Sequence, residues 1–310
     1  MEMLFTRDFT GFSGGHLKYY DYLQHTAASG LAAPVLYQTP GSAELPGNPF
    51  NHCGIPQIQA LRPFPAYFLA GMDWYLLDAA GIAPGSSPVV NLIQGLRHAE
   101  PGTKLFACLS RPALRICVSQ QVADAIAPHA NGPVHAIPNG VGIGPPPALR
   151  PLSDPPRILI SGFKNPEMAT GIATRLQGQL QNQVEFDLLT TMLPREEFLA
   201  RLGAASICIL LPLPAEGFFL PPLEAMALGR AVVVPDCIGN RGFCLPNQTC
   251  LMPEYTAEAL AAAALALARN PAQQARITEA GLQMAASHTL ARERAAYTAL
   301  LRHFLNDNPA

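Results

Sequence analysis

Residues 206–235 read SICILLPLPAEGFFLPPLEAMALGRAVVVP, and this stretch decides the fold. An apolar run at 206–211 has the composition of a buried strand. A short helical pattern at 223–228, stopped by Gly229, follows it, and a second apolar run comes at 231–235. Strand, helix and strand in this order give parallel pairing with the helix crossing one face. Parallel strands are covered on both faces, so they are apolar throughout rather than alternating.

The same rhythm extends outward. Upstream the pattern predicts strand at 157–161, helix at 167–180, strand at 184–190 and helix at 194–202; downstream, residues from 256 to the end are helical with breaks near Pro271 and His288. The first half shows strands at 3–6, 34–37, 89–94, 114–119 and 134–138, with helices at 16–29 and 120–130. Residues 38–65 are polar and proline-rich and read as loop. The densest of the 31 prolines fall in IPNGVGIGPPPALRPLSDPP, residues 137–156, which suits a linker because it continues neither a helix nor a central strand. The expectation is α/β: two Rossmann-like domains facing each other across a cleft, residues 1–150 and 151–288, with a final helical segment at 289–310.

Composition removes several classes of function. In 310 residues, 49% are hydrophobic and 14% charged, which suits a buried core and excludes a disordered chain. Twenty basic and 22 acidic side chains give a net charge of -2, no footprint for nucleic acid. The start, MEMLFTRDFT, does not read as a secretory signal, and the longest apolar runs are too short to cross a bilayer. No transmembrane segment is expected. Seven cysteines without a CxxC pair read as reduced thiols in the core; Cys237, Cys244 and Cys250 are too widely spaced for the usual zinc pattern, so no metal is expected.

Ligands of open parallel sheets bind beyond the carboxyl ends of the strands. After the strand at 206–211, Glu216 and Gly217 put a carboxylate and a permissive backbone there, and Pro221 and Pro222 suit the approach to a helix. Glu224 falls in the first turn of that predicted helix, where it is read either as a charge favoured by the dipole or as an acceptor for ligand hydroxyls. Phosphates on backbone N–H groups and hydroxyls on two acids fit a nucleotide sugar. After the first strand, TGFSGG ends in Gly14 and Gly15, read as a phosphate approach or as an ordinary turn. Arg97 and His98 follow the strand at 89–94; a lone histidine is more often structural than catalytic, and the arginine suits phosphate. Gly162 and Lys164 in SGFKN follow the strand at 157–161, where a lysine would offset diphosphate charge.

EGFFLPPLEAMALGRAVVVPDCIGNRG, residues 216–242, resembles the Glu-x7-Glu signature of retaining family-4 (group 1) glycosyltransferases with the GT-B fold. CVSQQVADAI and IPNGV at 137–141 extend the resemblance into the first half. It implies a metal-independent glycosyltransferase of the EC 2.4 class, without cofactor, that moves a sugar from a nucleotide-diphosphate sugar to an acceptor with retention. By the same resemblance Glu216, His98 and Lys164 are catalytic. Gly14, Gly15, Arg97, Gly162, Gly217, Phe218, Phe219, Leu220, Glu224 and Arg241 bind the donor, with Glu224 on the ribose hydroxyls. The family's paired basic residues are reduced to Lys164, with Ala169 at the second position and Arg241 or Arg7 as substitutes. The first domain is then the acceptor side, the second the donor side, and the last helix packs back on the first. The acceptor, a sugar or a lipid-linked chain of envelope polysaccharide or lipopolysaccharide synthesis, is left open. The implied location is cytoplasmic, with peripheral contact at the inner face of a membrane. The alternative is a nucleotide-sugar-binding protein of this fold that lacks turnover or needs a partner.

Overall fold

The computed structural model describes residues 1–85, 87–143, 156–180 and 184–307. The chain forms two compact units. Unit 1 is Met1–Gly140 with the C-terminal helix, and unit 2 is Val141–Thr289. Residues 144–155 of the expected linker lie outside the described residues.

Unit 1 is a seven-stranded parallel sheet: β1 (Glu2–Arg7), β2 (Ala33–Gln38), β3 (Gln57–Ile58), β4 (Tyr67–Ala70), β5 (Val89–Ile93), β6 (Leu114–Cys117) and β7 (Val134–Ala136), in the order β3-β2-β1-β4-β5-β6-β7. Helices α1 (Gly14–Ser29), α2 (Asp73–Ala79), α3 (Lys104–Ala107) and α4 (Gln120–Ile126) lie between strands. The region read as loop at 38–65 holds two 3-10 turns, Ser42–Glu44 and Pro49–His52, and the edge strand β3. The helix expected over 120–130 ends at Ile126, because Pro128 turns the chain into a 3-10 segment, Ala127–His129. One face of the sheet buries Leu4, Tyr67, Leu69 and Val89 with Trp74 and Leu77 of α2.

Unit 2 has β8 (Arg157–Ser161), α5 (Pro166–Leu180), β9 (Glu185–Leu189), α6 (Arg195–Ala204), β10 (Ile207–Leu210), α7 (Leu220–Ala227), β11 (Ala231–Val233), α8 (Ala257–Arg269) and α9 (Pro271–Ala286). Its four strands are parallel in the order β11-β10-β8-β9. Ile158, Ile160, Ile207 and Ile209 point to the face covered by Ile172 and Leu176 of α5 and Leu260 and Ala264 of α8. The alternate residues Leu159, Cys208 and Val232 are fully buried on the other face.

The last helix, α10 (Leu290–Asp307), belongs to unit 1 and packs on α1. Its buried residues Glu293, Tyr297, Leu301 and Leu305 recur every four positions and form one face. Tyr297 packs edge-on to Tyr22 at 5.0 Å, and its hydroxyl lies 2.7 Å from Thr26 Oγ1. No helix among the described residues is long and apolar enough to cross a membrane.

Candidate active site

In a parallel sheet the ligand crevice opens where the chain leaves neighbouring strands in opposite directions. In unit 2 that point lies between β8 and β10: β8 leads to β9 on one side, and β10 leads to β11 on the other. The loop after β8 carries Gly162 and Lys164, and the loop after β10 carries Glu216 to Phe219. Lys164 Nζ donates to the Glu216 carboxylate, whose Oε1 also accepts the Leu213 N–H at 3.1 Å. The Lys164 ammonium stands 5.3 Å from the Phe219 ring centre. Gly162 makes the strand-to-helix turn tight, since a Cβ there would lie 2.3 Å from the Ala169 Cβ. Ala169 is itself fully buried, so the position paired with Lys164 by the resemblance has no room for a basic side chain.

Glu224 needs a correction. α7 begins at Leu220, three positions before the expected start, with Phe219 as its N-cap and the two prolines in its first turn. Glu224 therefore lies in the second turn, and dipole stabilisation in the first turn does not account for it. Its side chain is 2% exposed and accepts from Arg195 Nη1 at 2.5 Å. The prolines also lack N–H groups, and the Phe219 N–H donates to Gly239 O at 3.0 Å, so this helix start offers an anion fewer donors than most.

The 3-10 turn Ile238–Asn240 braces the Glu216 loop. Ile238 N–H donates to Pro214 O at 3.2 Å, and Asn240 ties the turn to Cys237 N and Pro235 O. A Cβ on Gly239 would lie 2.7 Å from Glu216 O and 2.8 Å from Phe218 N, so glycine is needed for this approach. Phe218 stacks on Phe243 at 5.1 Å. Gly217, Phe219 and Leu220 are buried. Arg241, an expected donor ligand, spends its guanidinium on exposed Asp236 through two hydrogen bonds of 2.9 and 2.6 Å.

In unit 1 the corresponding point lies between β1 and β4. The loop after β1 ends at Ser13, whose Oγ accepts the His16 N–H at 3.2 Å and caps α1. Gly14 and Gly15 are thus the first residues of the helix, and Gln94 Nε2 donates to Gly15 O at 2.9 Å. The left-handed backbone of this loop is at Gly11, φ +125°. Arg7 Nε donates to His16 Nδ1 at 2.8 Å; burial, with Arg7 beside it, lowers the His16 pKa to about 4. His98 sits in the turn Leu96–Ala99 after β5, with Arg97 exposed beside it. Burial, then Arg115 and Arg97, lower its pKa to about 4, and its buried Nδ1 has no hydrogen-bond partner among the described residues.

The expected residues therefore fall into two sets: Gly14, Gly15, Arg97 and His98 in unit 1, the others in unit 2. Within unit 2 the structure joins Lys164 to Glu216 and leaves Arg241 on a separate ion pair. Arg195 was missed. The signal for it was a cation at the first position of a helix, following Pro194 just beyond a strand end. Among the described residues no group of three or more His, Cys, Asp or Glu side chains is placed to hold a metal ion, and all seven cysteines are buried and unbridged.

Parallel α/β units built this way are shared with solved glycosyltransferases. Sucrose-phosphate synthase from Thermosynechococcus elongatus superposes with a TM-score of 0.71 at 16% identity, over 99% of this chain and 100% of that one. Anabaena Alr3699/HepE, in complex with UDP-glucose, gives 0.73 at 14% identity over 98% and 100%. A glycosyltransferase from Rickettsia africae gives 0.69 at 13% identity over 98% of each chain. No curated protein matches the sequence. The fold is GT-B, and the protein is a glycosyltransferase. More particularly, residues 147–270 match the family described as "Glycosyl transferases group 1", so unit 2 carries a group 1 glycosyl transferase domain.

Proposed function

We propose that the protein moves a sugar from a uridine diphosphate sugar to an acceptor hydroxyl with retention of configuration, and that unit 2 holds the donor. One observation carries this reading: at the switch point of unit 2 a lysine and a glutamate from neighbouring strand ends meet, Lys164 on Glu216. The uridine base is chosen because the Anabaena protein was solved with UDP-glucose, with UDP and glucose, and with UDP.

In the reaction the bond between the anomeric carbon and the diphosphate oxygen breaks, and the acceptor oxygen bonds to that carbon on the same face. The leaving diphosphate takes the acceptor proton. Lys164 offsets the negative charge gathering on the diphosphate, a task that the start of α7, short of N–H donors because of its two prolines, performs weakly. Glu216 accepts from hydroxyls of the sugar and Glu224 from those of the ribose, since ionised carboxylates only accept. His98, neutral and with a buried nitrogen that has no partner among the described residues, hydrogen-bonds the donor sugar; Gly14, Gly15 and Arg97 serve its phosphates and the acceptor. The account needs no metal ion and no cofactor. On the family resemblance alone, it extends to a sugar or lipid-linked acceptor in envelope polysaccharide synthesis and to work in the cytoplasm, with peripheral contact at the inner membrane face.

The test is a thermal-shift panel of UDP, GDP, ADP, CMP and dTDP with their common sugars, run on the protein and on Glu224→Ala. A ligand of the native state raises the midpoint according to its affinity. UDP and a UDP-sugar are expected to stabilise the protein and to lose that effect in the variant. Silence from every nucleotide would sink the reading, and binding without UDP release in the presence of acceptors would move it to a protein without turnover.

A further inference from the structure

We propose that Arg195 is a positioning residue of the donor site, holding the Glu224 carboxylate in the orientation that receives the ribose diol of the donor nucleoside. The proposal rests on the donor-site reading above and adds a residue to it. Glu224 is 2% exposed, and a carboxylate taken out of water is stable only when paired and hydrogen-bonded. Its cation comes from a distant part of the chain: Arg195 opens α6, after β9, and reaches the second turn of α7.

Two further features make the pair more than incidental. The first turn of a helix favours acids, as Glu196 and Glu197 in α6 illustrate, and disfavours a cation. Arg195 stands there nonetheless, discharged on a carboxylate of another helix. The two glutamates of the signature are also served alike, each by a cation from another part of the chain: Lys164, in the loop after β8, for Glu216 and Arg195, at the start of α6, for Glu224. Arg157, Arg201 and Arg241 meet Glu185, Asp187 with Glu197, and Asp236, none of them a signature position.

Arginine suits the task because its guanidinium stays charged when partly buried and offers its N–H donors in a rigid fork, unlike the freely rotating ammonium of a lysine. Nη1 engages Oε1 of Glu224. So held, Glu224 presents its acceptor oxygens to both ribose hydroxyls. The residue acts through Glu224 and transfers no proton.

The experiment measures Kd by calorimetry for UDP, 2′-deoxy-UDP and UMP with the protein, Arg195→Met and Arg195→Lys. A hydrogen bond to a charged acceptor is strong enough that losing the 2′-hydroxyl should weaken binding to the protein about tenfold. In Arg195→Met, UDP should bind about tenfold more weakly and the penalty for the missing hydroxyl should shrink below about twofold. Arg195→Lys should recover part of both, while the ratio of UDP to UMP affinity, set by Lys164, stays unchanged in both variants. A structural role alone would lower the melting temperature and leave the hydroxyl penalty intact. A full penalty in Arg195→Met, or an equal loss of UDP-to-UMP discrimination, overturns the proposal while the donor-site reading stands. Absence of UDP binding to the unmodified protein overturns both.

Discussion

At the scale of single residues, the site depends on close backbone approaches as much as on charged side chains. Gly239 shows this most sharply. A methyl group there meets three backbone atoms of Glu216 and Phe218 within 2.9 Å, and backbone yields less readily than a flexible side chain. Gly239→Ala is expected to lower stability by about 1–3 kcal/mol, the usual cost of overpacking. It should also weaken UDP-sugar binding more than tenfold by displacing the Glu216 loop. Gly242→Ala is the matched control, because a Cβ at Gly242 meets nothing within 4 Å. It should stay within about 0.5 kcal/mol of the parent, as surface changes do. Urea titration and donor calorimetry on the two variants decide the matter, and equal behaviour would show that the approach does not constrain the loop.

Elements differ in how openly the sequence announces them. β8, β10 and β11 are legible because parallel strands buried on both faces are continuous apolar runs, and α5 and α6 because helical periodicity fills the space between them. β4 and α2 were not legible: YFLA at 67–70 is four residues long, beside Pro63 and Pro65, and a short run is swamped by breakers. The signature made Glu216 and Glu224 legible, but not their cations, since pairing across 52 and 29 positions follows from the sheet order rather than from any local pattern. α10 poses the same problem. Nothing in ARERAAY marks Glu293, yet it is 3% exposed and accepts from Lys18 Nζ at 2.6 Å and from the Gly140 N–H. Lys18 completes its bonds on Asp21 at 2.7 Å and Gly140 O at 3.1 Å. Burial pushes the Glu293 carboxyl up, but His25, Lys18 and Gly140 together outweigh it and hold the pKa below its ordinary value. Glu293→Ala is expected to cost about 3 kcal/mol, the low end for a broken buried pair because Asp21 still faces Lys18. Lys18→Met alone strands both Glu293 and Asp21, so the double variant should lose less than the sum of the two single losses, a coupling read from a double-mutant cycle in urea; strictly additive losses would show that the two charges do not depend on each other.

For the whole molecule, the shifted acid–base groups are unevenly divided, and this predicts which unit acid loosens first. His16 and His98, both with pKa lowered to about 4, lie in unit 1, as does Asp73, raised to about 6 mainly by burial. A histidine lowered from 6.5 binds its proton in the unfolded chain before it does in the fold, so its contribution is complete above pH 6.5 and is lost as the pH falls toward 4. Asp73 has the opposite sign, as does Asp21, whose carboxyl burial also raises. Between about 6 and 3.8 the fold holds a proton that the unfolded chain has released, so acidification through that window favours the fold and offsets one of the histidines. Each group contributes a slope of up to about 1.4 kcal/mol per pH unit. His98→Gln should therefore flatten the fall in stability between pH 6.5 and 4.5 by up to one proton's worth, and Asp73→Asn should steepen it below pH 6. In unit 2 Asp236 is lowered by its hydrogen bonds to Arg241, but on the surface, where a pair contributes little. Amide hydrogen exchange at pH 7.5 and pH 5 should accordingly show protection falling more in the strands of unit 1 than in β8 and β10. Equal loss in both sheets, or stability curves for the two variants parallel to that of the parent, would place the acid sensitivity elsewhere.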